Sequence, residues 1–202
     1  MIKSDTERGN KEERVRHVIA TAKEQFILHG YSGTTTMQIA REAGISEMTL
    51  FRYFANKQDI FQAVVSPLTQ FEWFPKKALN SGRRWPYSLM EFFNELIAFA
   101  KKERKLVRMA IIESQLQPDL GGEYNPLENA SSQLKSNLRA FGIDEESSQA
   151  VIHLIMSLIL TIAFTPYYDE ETIDLTSELM REQILDIITA CCPSRGEKIM
   201  TS

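Results

Sequence analysis

Between Thr34 and Lys57 the chain reads TTTMQIAREAGISEMTLFRYFANK, and its polar residues are of the kinds that hold a polyanion or read a base edge. Arg52 and Tyr53 carry donors suited to a phosphate oxygen or a base. Met48 can press on a thymine methyl, and Glu47, repelled by phosphate, can accept from the N4 amino group of cytosine. Catalytic constellations are missing from the sequence. His17, His29 and His153 are scattered, and no H-E-x-x-H, P-loop or G-x-S-x-G run occurs. Cys191 and Cys192 are adjacent, which suits neither a disulfide framework nor a C-x-x-C metal site. These residues imply a binding protein, not an enzyme, with no metal and no cofactor.

Short helices must position the stretch. From 11 to 29, apolar residues recur at Val15, Val18, Ile19, Ala22 and Phe26, the spacing of one helix face, and Gly30 follows as a stop. Thr35 is the expected N-cap of a second helix through Ala43. Gly44 supplies the backbone freedom for a sharp turn, Ser46 caps a third helix to about Tyr53, and Asn56 caps a fourth. The predicted core is Phe26, Tyr31, Ile39, Ala40, Ala43, Ile45, Leu50, Phe54 and Ile60, with Ala40 and Ala43 small enough for close helix approach. That is a compact three-helix unit containing a helix-turn-helix.

Charge divides along the chain. The 202 residues carry a formal net charge of -4. Residues 1–57 hold nine Lys and Arg against seven Asp and Glu, so this segment is +2 and the remainder -6. A polyanion-facing N-terminal part on an acidic body has this asymmetry. The start, MIKSDTERGNKEERVR, has no apolar signal region. The longest apolar run, 150–164, falls short of the roughly 20 residues of a membrane span and carries His153, Ser157 and Thr161. A buried helix, a cytoplasmic location and no membrane partner are the expectations.

Beyond Ile60 the elements lengthen and aromatics increase. The fourth helix should run to about Trp73, before Pro75, and helices follow at about 86–102, 105–117, 126–141, 145–164 and 170–190. No strand-like alternation or internal repeat stands out. The fold class is therefore all-α, about nine helices in total. A DNA-binding domain at 1–57 and a larger helical domain at 58–202 are expected.

The run GYSGTTTMQIAREAGISEMTLFRYFANKQDIF, Gly30 to Phe61, resembles the TetR family of bacterial transcriptional regulators. The matching positions are Gly30-Tyr31, Thr35, Ile39-Ala40, Ala43-Gly44-Ile45, Leu50, Phe51, Phe54 and Lys57. Agreement at this many fixed spacings is far more specific than a short motif. Phe51 departs from the family's usual tyrosine, Glu47 from a common lysine, and Met48 from a small residue.

The resemblance implies that residues 46–53 form the recognition helix and that Thr35, Thr36 and Lys57 touch phosphate; Arg52 and Tyr53 would reach phosphate or a base edge, and Ser46 and Thr49 complete the expected DNA-binding set. Glu47, Met48 and Thr49 are expected to set an unusual base preference. It further implies a role as a repressor on double-stranded operator DNA, binding an inverted repeat as a homodimer. The last two helices, about 145–164 and 170–190, would form the dimer seam, the second through Ile173, Met180, Ile184, Ile187, Ile188 and Cys191. A small, largely apolar effector would release the DNA by favouring a conformation with mis-spaced recognition helices. Aromatic and methionine residues of the middle of the chain could line its cavity, with Trp73, Phe92, Met109, Glu113, His153 and Met156 as candidates. The alternative is a helical adaptor acting mainly through a protein partner.

Overall fold

The computed structural model describes residues 2–70, 87–117, 125–140 and 143–165, together with 182, 183 and 186. Eight helices order these residues, and no strand occurs among them. They are α1 (Ile2–Gly33), α2 (Thr36–Glu42), α3 (Glu47–Phe51), α4 (Lys57–Thr69), α5 (Tyr87–Lys102), α6 (Arg104–Leu116), α7 (Pro126–Ala140) and α8 (Glu145–Phe164). The expected helix at 170–190 lies almost wholly outside the described residues, as does Trp73.

Two compact units divide the chain. One comprises Met1–Gln70 with Met109–Asn125, and the other Phe71–Arg108 with Pro126–Ser202. The first of these units runs past the expected division at 57/58, to Gln70. α4 packs along α1, so its apolar face belongs to the N-terminal unit. Residues from Met109 onward, the greater part of α6, are counted with the same unit.

In the N-terminal unit, Val18, Ala22 and Phe26 of α1 are buried with Ile39 and Ala40 of α2, Leu50 of α3, and Ile60, Phe61, Val64, Val65 and Leu68 of α4. Phe26, Tyr31 and Phe61 form an aromatic triad with centroid separations of 5.8, 5.4 and 5.2 Å. Such offset and edge contacts add to what apolar burial already contributes. Tyr31 and Ile45, expected in the core, are only half-buried. α4 contains Pro67, which has no N–H for the carbonyl of Ala63; the Ser66 hydroxyl donates to that oxygen at 2.9 Å.

In the other unit, α8 lies on α7 and α5. Ile97 and Ala100 of α5 meet Ile162 and Leu158 of α8, while Leu134 and Leu138 of α7 are fully buried. The Arg104 guanidinium donates to the carbonyl of Thr165, tying the start of α6 to the end of α8. By length and composition α8 could cross a membrane, but its buried residues fall on one side, as in a packed globular helix.

Candidate nucleic-acid interface

Two capped helices and a glycine turn make the corner. Thr35 is extended, and its hydroxyl oxygen accepts from the N–H of Gln38 at 3.1 Å. The Gln38 side chain accepts in return from the Thr35 N–H at 2.9 Å, completing a capping box. Gly44 follows α2 at φ 68, a left-handed conformation that turns the chain sharply, and the Ile45 N–H donates back to Ala40. Ser46 then caps α3 by accepting from the Thr49 N–H at 3.2 Å. α3 ends at Phe51, earlier than expected, and Arg52 and Tyr53 continue as a turn.

The side chains expected to face DNA lie at the surface of this corner. Met48 is 79% exposed, Phe51 is 45% exposed, and Thr35, Ser46 and Arg52 are exposed. Thr36, Glu47, Thr49 and Tyr53 are half-buried. Thr36, Glu47 and Lys57 have internal engagements that their types did not reveal. The Thr36 hydroxyl donates to Glu47 Oε1 at 2.6 Å, joining the first residue of α2 to the first residue of α3. Lys57 Nζ donates to the carbonyls of Tyr31 and Thr34 at 2.9 and 3.0 Å and sits 4.1 Å from the centroid of the Tyr31 ring. Burial lowers its pKa, an effect partly offset by the charge of Glu113. An ammonium has three donors, and these two bonds leave one over.

A groove runs between α1 and the corner. Its lining brings Arg14 and His17 beside Thr49 and Tyr53, with Glu13 also present. Arg14 and His17 are not among the expected site residues, since the sequence pattern of α1 marks its apolar face; their one signal is a position on its polar side.

The residues expected to bind an effector fall in both units. Phe92 is fully buried in α5, His153 is exposed and Met156 half-buried on α8, whereas Met109 and Glu113 are counted with the N-terminal unit. Glu113 is 6% exposed, and its Oε1 accepts the Tyr31 N–H at 2.9 Å.

Two short capped helices around a left-handed glycine, closed by α1, define a helix-turn-helix unit. Residues 18–64 match the family described as bacterial regulatory proteins, tetR family. Over these residues the chain is similar to bacterial transcriptional regulators of that family, which are not enzymes. It is 39% identical over 51 residues to the HTH-type transcriptional regulator YvkB of Bacillus subtilis, covering 25% of this chain and 27% of that protein. It is 45% identical over 49 residues to the HTH-type transcriptional regulator HbdR of Aromatoleum sp., covering 24% of this chain and 21% of that protein. The chain thus spans about a quarter of the length of the curated relatives it matches. A TetR-family transcriptional regulator from Mesorhizobium loti shares the fold over 91% of this chain and 96% of its own, with a TM-score of 0.64 and 24% identity.

Proposed function

We propose that the chain is a transcriptional repressor that binds an operator inverted repeat as a homodimer and is released by a small, largely apolar effector. One observation carries the DNA half of this reading. The surface of the α2–α3 corner holds the exposed hydroxyls of Thr35 and Ser46, the half-buried hydroxyl of Thr49, the Arg52 cation and the protruding Met48, on the segment that matches the family. Hydroxyls and the Arg52 cation fix the protein on phosphates, and Met48 with Glu47 meets base edges in the major groove. Such a protein acts where the DNA is, in the cytoplasm. Support for the effector half is the family's design, in which a divergent helical domain follows the reading unit.

The dimer half is supported by α8. Gln149, His153, Ser157, Leu160, Thr161 and Phe164 are exposed along one side, while Val151, Ile155, Ile159 and Ile162 are buried on the other. An apolar helix with a second open face suits a seam with another copy. In such dimers the half-sites lie about one helical turn, ~34–36 Å, apart.

The test is a titration of the chain's own upstream DNA and a random duplex across a salt series. Tighter binding to the upstream DNA, falling steeply with salt, is expected. Absence of any salt-dependent DNA binding would overturn the reading and favour the protein-partner adaptor.

A further inference from the structure

Among residues whose side chains are described, Glu113 is the one charged group that is buried. A buried carboxylate is costly unless it is paired or hydrogen-bonded. Its partner is the Tyr31 N–H, 2.9 Å from Oε1 and 82 positions away in sequence. Gly30 makes the approach feasible in two ways. Its φ of 71 kinks the chain near the end of α1, and a Cβ built there would lie 2.8 Å from the same Oε1. Four residues after Glu113, the Gln117 amide donates to Ser32 Oγ at 3.0 Å. The Gln117 N–H bonds the Glu113 carbonyl at 2.8 Å, so the last turn of α6 and the residue after it grip Tyr31 and Ser32 in succession.

The other end of the Tyr31 residue is gripped as well. Its carbonyl accepts from Lys57 Nζ at 2.9 Å, and the same ammonium bonds the Thr34 carbonyl at 3.0 Å. A carboxylate therefore holds the N–H of Tyr31 while an ammonium holds its C=O, and the peptide dipoles between them are aligned with both charges. Thr35 and Thr36 follow directly in the chain.

We propose that Glu113 is a positioning residue for DNA binding: without touching DNA, it fixes the Tyr31–Thr36 connection and Lys57 in the arrangement that phosphate contacts require. The proposal rests on the DNA-binding reading above, and the experiment separates the two. Binding to a random-sequence duplex, which needs no knowledge of the operator, is measured over a salt series for the wild type, Glu113→Gln and Glu113→Leu. Temperatures are kept well below each protein's melting point, so that the folded fraction is the same. Leucine accepts no hydrogen bond, and Glu113→Leu should bind about tenfold or more weakly, the size of a lost charge-assisted bond. Its salt slope should fall by about one, as expected when one phosphate contact is lost. Glu113→Gln keeps an acceptor oxygen and should recover most of that affinity.

A purely structural role would lower melting points without changing the slope or giving rescue. Wild-type affinity and slope in Glu113→Leu, or equal losses in both variants, overturn the proposal while leaving wild-type DNA binding intact. Failure of the wild type to bind DNA overturns the regulator reading, and this proposal with it. Should Glu113→Leu not fold, Gln117→Ala loosens the same connection at Ser32. A weakened affinity there supports the proposal, and wild-type affinity refutes it.

Discussion

The contact between Glu47 and Thr36 changes what each residue can do at the DNA surface. A hydroxyl donating at 2.6 Å to a carboxylate is not free to donate to a phosphate, and the carboxylate itself repels phosphate. Removing Glu47 therefore acts twice. Glu47→Ala should tighten binding to a random duplex at low salt, with a gain that shrinks as salt screens the lost repulsion. It should also alter base preferences on a randomised operator library, if Glu47 turns to a cytosine amino group when DNA is bound. Anisotropy titrations and library selection measure the two effects; unchanged binding in both removes Glu47 from the interface. Thr34 is the opposite kind of residue. It is fully buried, and its hydroxyl lies 2.8 Å from the Gly30 carbonyl and 3.2 Å from that of Gln25. Thr34→Val should cost about 1–2 kcal/mol, read from chemical denaturation. Three threonines in a row gave no sign of this by type. Thr35 was legible as a cap because a helix pattern starts behind it, whereas the burial of Thr34 depends on where Gly30 sends the chain.

At the scale of elements, the two left-handed glycines separate a local requirement from a tertiary one. Gly44 has open space around a Cβ, so Gly44→Ala costs the left-handed backbone alone, about 1–2 kcal/mol. At Gly30 the same substitution also drives a Cβ into the Glu113 carboxylate and should destabilise more than Gly44→Ala in the same denaturation assay. Both glycines were readable as a helix stop and a turn, because those signals are local. Their partners were not. The Glu113–Tyr31 bond joins positions 82 apart, and a lone glutamate in a helical pattern gives no hint of it. Helix starts were legible for a related reason, since caps are written in the residue itself. Asp144 shows this at α8, where its side chain accepts from the Ser147 N–H and from the Ser147 hydroxyl. Those bonds, the backbone one foremost, hold its pKa below the usual aspartate range. A depressed carboxylate contributes stability that is present above its unfolded pKa and is lost as pH falls through the folded one. The melting-point deficit of Asp144→Ala should therefore be full at neutral pH and shrink as the pH is lowered below about 4. A deficit independent of pH would mean that the cap acts without its charge.

For the whole molecule, net charge and α8 bear on the same question. An acidic chain with a modest positive excess in residues 1–57 has few cations to hold a polyanion. Two copies double the phosphate contacts, and binding two half-sites together raises affinity by effective concentration without any new contact type. The open side of α8 is where a second copy is expected, because Leu160 and Phe164 are 37% and 43% exposed on an otherwise apolar helix. Light scattering of the wild type should give twice the 23.2 kDa chain mass. Leu160→Glu places a charge on that face, away from the core at Ile155, Ile159 and Ile162, and should shift the mass towards one chain without unfolding it. Its binding to a duplex carrying both half-sites should then weaken far more than its binding to a single half-site. Equal weakening on the two duplexes, with the mass unchanged, would place the seam elsewhere on the molecule.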